Sequence, residues 1–180
     1  FYFELVRWYG NVVLMTSTAD SRKKDEDYEQ TAAKDVYAYI EEDLKYAAEV
    51  LPWAVDDTKR TSNAYRFSKG AALGLLAKVY CTWAGYPVKD ESKWAEAEKV
   101  ARRVVESGKH RLISDYETVW KNTCNGIWDA GESLIEVSFY SPTGLDSDNT
   151  AGRIGKWNGV SATTIDGERG RNAANWKVVY

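Results

Sequence analysis

Arg66-Phe-Ser-Lys-Gly-Ala-Ala-Leu-Gly-Leu-Leu-Ala-Lys-Val-Tyr80 and Trp94-Ala-Glu-Ala-Glu-Lys-Val-Ala-Arg-Arg-Val-Val-Glu-Ser-Gly108 are the two halves of the stretch that decides the fold. Between Lys69 and Lys78, and again from Lys78 to Lys89, no residue is charged. Ala72, Leu76, Val79 and Trp83 recur at helical spacing, and most residues between them are small or apolar, the pattern of a helix buried nearly all round. The second half is amphipathic: Trp94, Ala97, Ala101 and Val104 form one stripe, with Glu96, Lys99, Arg103 and Glu106 outside it. Gly85-Tyr-Pro87 supplies the turn, so the stretch reads as a helical hairpin on which the rest of the chain packs.

Working outward, Val36, Ile40, Leu44, Ala47 and Leu51 make a further helical stripe that ends at Pro52. Thr31 reads as its N-cap, with Asp35 early in the helix where the dipole favours an acid. Glu41 and Lys45 are an i,i+4 pair, worth about 0.2–0.5 kcal/mol on an exposed face. Upstream, Phe1, Leu5 and Trp8 form the stripe of a helix stopped at Gly10, read as the tail of a longer helix in an interior piece of a longer protein. Asn11 to Met15 reads as extended, and Thr16 to Glu29 as a solvated loop. Asp56 to Asn63 is a second polar loop.

After Gly108 the elements shorten. Asp115 to Trp120 suits one or two helical turns, Asn122 to Gly131 a turn-rich connector, and Leu134 to Tyr140 a strand with Ile135, Val137 and Phe139 on one face. Ser141 to Asn175 is rich in Gly, Asn, Asp, Ser and Thr, a long loop of the kind that is functional or is ordered by further chain. The expected class is therefore mainly α, a helical scaffold over residues 1–140 with a short strand, and a loop-rich extension of the same domain over 141–180.

The bulk composition narrows the function. The 180 residues carry a formal charge of −3 with no basic stripe, which argues against a nucleic-acid partner. Aromatic usage is skewed, with 8 Trp and 12 Tyr against 4 Phe; Trp and Tyr serve both cores and sugar- or protein-facing surfaces. Cys81, on the apolar helix, reads as a small buried hydrophobe, and whether it meets Cys124 stays open. No stretch is long and apolar enough to span a membrane.

Catalytic chemistry finds no support. His110 is the sole histidine and sits just past a helix end, a place for a surface or capping residue rather than a general base. There is no nucleophile elbow and no Cys–His cluster for zinc. Asp146-x-Asp148-x-Thr150 begins like a calcium loop, but Ala151 and Trp157 stand where an EF-hand needs its glycine and bidentate glutamate. No enzyme activity, metal or cofactor is expected. The remaining site signal is a set of aromatic and polar residues in the long loop: Arg153, Lys156, Trp157, Asn158 and Trp176. Sugar sites stack a ring face on an aromatic while Arg, Asn or Asp bind the hydroxyls; Arg153, Trp157, Asn158 and Trp176 are the candidates. The plainer alternative is that Trp157 and Trp176 anchor the loop on the helices.

Small residues at the contacts of paired helices, from Leu76-Ala-Lys-Val-Tyr80 into Trp94 to Val105, resemble a tetratricopeptide unit. A wider resemblance runs in order along residues 1 to about 140. Phe3-Glu-Leu-Val-Arg-Trp-Tyr-Gly10, Val36-Tyr-Ala-Tyr-Ile-Glu-Glu-Asp-Leu-Lys-Tyr-Ala47 with Leu51-Pro52, Arg66 to Tyr80, Trp94-Ala-Glu-Ala-Glu98 with Ser107-Gly108, and Glu132-Ser-Leu-Ile-Glu-Val137 together resemble the SusD/RagB family of outer-membrane nutrient-binding lipoproteins of Bacteroidetes. Gly74 departs from that family's more usual alanine.

The resemblance implies an α-helical fold with tetratricopeptide-like pairs supporting a ligand face. It implies a surface-exposed lipoprotein, tethered by a lipid on a cysteine upstream of Phe1, that delivers oligosaccharide or peptide to a SusC-like TonB-dependent transporter and is not an enzyme. Its ligand aromatics vary with the ligand, so it assigns no binding residue here. The rival expectation is a helical-repeat interaction scaffold that docks a transporter or peptide without touching sugar.

Overall fold

The computed structural model describes residues 1–18, 20, 24, 28–61, 66–125 and 127–136. Its helices are α1 (Tyr2–Tyr9), α2 (Ala33–Val50), α3 (Thr58–Thr61), α4 (Lys69–Ala84), α5 (Lys93–Glu106) and α6 (Tyr116–Cys124), with one 3-10 turn at Ala54–Asp56. The chain divides into two compact units, one formed by Phe1–Ser114 with Trp128–Glu136 and the other containing Asp115–Ile127.

In the first unit α4 is the axis, packing most extensively on α5 and next on α2. Most of its apolar run is buried: Ala71, Ala72, Leu73, Leu76, Val79, Tyr80, Trp83 and Ala84 all lie in the core. Ser68 caps it, accepting from the Ala71 N–H at 3.2 Å, and is itself fully buried. The Lys69 N–H reaches the Pro52 carbonyl at 2.9 Å, tying the start of α4 to the end of α2. Cys81 is the departure from the expected burial: its thiol is free and exposed. It shares a helix with core residues but lies off the face that α2 and α5 cover.

α2 buries Val36, Tyr37, Ile40, Leu44 and Ala48, close to the stripe its spacing predicts. Its cap differs. Ala32 holds the N-cap position without a side-chain bond, and Asn11 Oδ1 accepts from the Ala33 N–H at 3.0 Å. Thr31 instead pairs with Val12 in an isolated antiparallel bridge within the otherwise irregular 11–15 run. That bridge carries Asn11 to the helix start and so supplies the cap from a distance.

Two sequence stripes are kept only in part: Leu5 on α1 and Ala97 and Val104 on α5 face the core as expected, and the rest do not. On α1 the buried residues are Phe3 and Val6, whereas Phe1 and Trp8 are 93% and 76% exposed. On α5, Ala97 and Val100 are buried with Val104 against them, while Trp94 and Ala101 face out. In both helices the inward face is the one that meets the core cluster, Phe3 and Val6 on α1 and Ala97, Val100 and Val104 on α5.

Gly74 earns its place through packing. A Cβ there would lie 2.5 Å from Leu134 Cδ1, so the bare backbone seats the Leu134 side chain. One turn earlier, a Cβ on Gly70 would lie 2.3 Å from His110 Nε2. Leu134 forms a bend and Ile135–Glu136 are irregular, so no strand starts there; the rest of the expected Leu134–Tyr140 strand lies outside the described residues. In the second unit α6 is longer than expected and is capped by Asp115, which accepts from the Glu117 and Thr118 N–H groups.

Candidate functional site

The loop candidates Arg153, Trp157, Asn158 and Trp176 all lie outside the described residues, as does the Asp146–Thr150 stretch. Two other constructions stand out in the first unit.

The first joins α2, α4 and α5 at Glu41. Tyr80 Oη donates to Glu41 Oε1 at 2.8 Å, Lys93 Nζ donates to Oε2 at 3.0 Å, and Lys45 Nζ donates to Oε1 at 2.5 Å. The Lys93 ammonium lies 3.9 Å from the Trp83 ring centroid and 5.3 Å from that of Tyr80. Trp83 in turn stacks on Tyr37, centroids 5.4 Å apart at 15°. Burial alone would raise the Glu41 pKa and is the largest single influence; the bonds from Lys45, Tyr80 and Lys93 outweigh it and hold the carboxyl at about 2. The Tyr80 phenol is pushed up by its burial and by the Glu41 charge. Lys93 sits in a cage of indole, phenol and carboxylate that an external cation would otherwise occupy. The arrangement is therefore a filled clasp.

The Glu41–Lys45 spacing was legible in the sequence as an exposed pair, but Glu41 is only 15% exposed and its decisive partner is 52 residues away. No periodicity along one helix signals such a contact.

The second construction is a groove of about 260 Å³ lined by Phe1, Tyr2, Phe3, Tyr39, Ile40, Asp43, Leu44 and Leu75. Tyr2 meets Phe1 and Tyr39 edge-on at 5.7 and 6.2 Å, and its hydroxyl is already engaged, accepting from the Met15 N–H at 2.8 Å and donating to the Met15 carbonyl. Asp43 is the one carboxylate on its wall. The volume falls below the several hundred Å³ usual for a small-molecule pocket, and the lining offers apolar ring edges with little polar recognition.

His110 is not the surface residue its position past α5 suggested. It packs edge-on to Trp53 at 5.7 Å, and both ring nitrogens are buried without a hydrogen bond in good geometry. Burial lowers its pKa, opposed in part by the Gly131 backbone. Among the described residues no group of three or more His, Cys, Asp and Glu is placed to hold a metal ion, and no helix is long and apolar enough to cross a membrane.

The described residues define a mainly helical scaffold with a self-satisfied centre. Comparison with known proteins agrees. A family model described as starch-binding, associating with the outer membrane, matches residues 1–81. A SusD-like protein of Bacteroides ovatus is 30% identical over 143 residues, 77% of this chain and 24% of the relative. The crystal structure of a SusD homolog from Bacteroides thetaiotaomicron superposes with a TM-score of 0.84 at 66% identity, covering 97% of this chain and 32% of that one. A further structure, with a xylogluco-oligosaccharide, matches with a TM-score of 0.58 at 27% identity over 78% of this chain and 28% of its own. The chain belongs to the SusD/RagB family. It spans 24% of the first of these relatives and 32% of the second.

Proposed function

We propose that the protein is a non-catalytic, glycan-binding component of an outer-membrane nutrient-uptake system. It sits on the cell surface as a lipoprotein and passes oligosaccharide to a SusC-like TonB-dependent transporter. The observation that carries the reading is the family match, joined to a structural neighbour crystallised with a xylogluco-oligosaccharide. Residues 1–140 serve as scaffold and 141–180 as a loop-rich extension, with Arg153, Trp157, Asn158 and Trp176 contacting the ligand. Trp157 offers a stacking platform; Arg153 and Asn158 offer donors for hydroxyls.

The test is calorimetry of the full-length protein with starch, xyloglucan and other polysaccharides, repeated on Trp157→Ala. Binding to one glycan class, weakened at least tenfold by the substitution, is expected. Unchanged binding in the variant removes the loop site, and no binding to any glycan removes the reading itself.

A second reading is a repeat scaffold that docks protein or peptide without sugar. It draws on exposed Trp8, Tyr9 and Tyr46, residue types that anchor protein interfaces. Co-purification with a large β-barrel in the absence of glycan affinity would favour it.

A further inference from the structure

His110 is the chain's single histidine, and the glycan reading makes no use of it. Its placement is specific. The ring rests on the bare backbone of Gly70, where a Cβ would come within 2.3 Å of Nε2, and it meets the edge of Trp53. The segment that bears it is tied to a second one, its Arg111 N–H bonded to the Gly131 carbonyl at 2.8 Å. Leu134 fills the next seat, at Gly74. His110 and Leu134 thus hold two crossing segments, residues 107–113 and 128–134, on one track of α4.

The charged groups around the ring are committed elsewhere. Asp56, beyond Trp53, takes Lys109 Nζ at 2.7 Å. Asp129, on the crossing segment, takes Arg111 at 3.0 Å and the Gly131 N–H at 2.7 Å. Glu132 accepts from the Ile113 N–H. On α4 the neighbouring charge is Lys69, of the wrong sign to help. A second proton on the imidazole would therefore be buried without an acceptor carboxylate, a state that burial disfavours strongly.

We propose that His110 seated on Gly70 is an acid-released latch: residues 107–113 and 128–134 stay docked on α4 while the ring is neutral and detach when it is protonated. Burial depresses the ring's affinity for protons in the docked state. The undocked state therefore binds more protons, and docking weakens as pH falls below the ordinary imidazole value near 6.5. Above that value the latch is at full strength. Release would uncover Trp53 and the Gly70–Gly74 track while leaving the Glu41 clasp closed, since its carboxyl stays ionised to about pH 2.

Hydrogen exchange of the full-length protein, corrected for intrinsic rates at each pH, tests this. Protection of residues 107–113 and 128–134 should fall at least fivefold from pH 7.5 to 5, while residues 94–104 of α5 hold theirs. His110→Phe keeps an aromatic ring that cannot charge, and should abolish the local fall; if it disturbs α5 protection, His110→Leu replaces it. Unchanged protection at pH 5 in the unsubstituted protein overturns the latch. So does a fall shared equally by α5, or one that persists in the non-titrating variant.

Discussion

Lys93→Met is the most exacting test of the clasp, because it keeps an unbranched apolar stem and deletes only the charge. Lys93 and Glu41 are each 15% exposed, and the ammonium serves both the carboxylate and the Trp83 face. Breaking a fully buried pair costs about 3–5 kcal/mol, and a desolvated cation–π contact adds about 2 kcal/mol. Lys45 and Tyr80 remain to hold Glu41, so the expected loss is smaller, about 2–3 kcal/mol at pH 7.

The pH dependence follows from the same geometry. The Glu41 pKa falls from 4.5 unfolded to about 2 folded, so the unfolded chain binds more protons between those values and stability drops as pH falls through that window. The full shift is worth roughly 3 kcal/mol. The Lys45 side chain is 52% exposed, and screening there reduces the figure to about 2 kcal/mol. In Lys93→Met the shift shrinks, so the gap between the two proteins should narrow from pH 5 to pH 3. Urea titrations followed by tryptophan fluorescence measure this. A gap below about 0.5 kcal/mol at pH 7, in the range of an exposed pair, or a gap that does not change with pH, would refute the clasp.

Asn11→Ala removes the remote cap of α2 and should cost about 1 kcal/mol, with faster exchange confined to the first turn of that helix; Thr31→Ala should leave those amides unaffected. Gly74→Ala gains about 1 kcal/mol of helix propensity but forces Leu134 Cδ1, the end of a flexible side chain 2.5 Å from the new Cβ, to rotate away. The thermal midpoint should therefore move by only a few degrees, and Gly74→Ala combined with Leu134→Ala should recover the propensity gain; a loss that the double variant does not relieve would show that the glycine has another role.

Much of the scaffold is written in local pattern. The run from Lys69 to Ala84, with Lys78 as its one internal charge, reads as a buried helix from its own pattern, and Pro52, Gly10 and Gly108 mark ends that the structure keeps. These are short-range matters of steric fit, charge and helical period, which a single segment carries by itself. The family is legible for the same reason, since ordered scaffold segments identify it. The ligand is not, because no helix of that scaffold encodes it.

Only the tertiary structure decided which faces turn inward and what the polar groups do there. Phe3 and Val6, not Phe1 and Trp8, turn inward because theirs is the face of α1 that packs into the core. Glu41, read as one end of a surface pair, became the centre of three helices once Lys93 arrived from 52 residues away. His110, unremarkable in sequence, lost its solvent when Gly70 gave it a seat. Each outcome depends on contacts between residues far apart in the chain, and the free energy of burial or pairing is set by the neighbours that folding brings together.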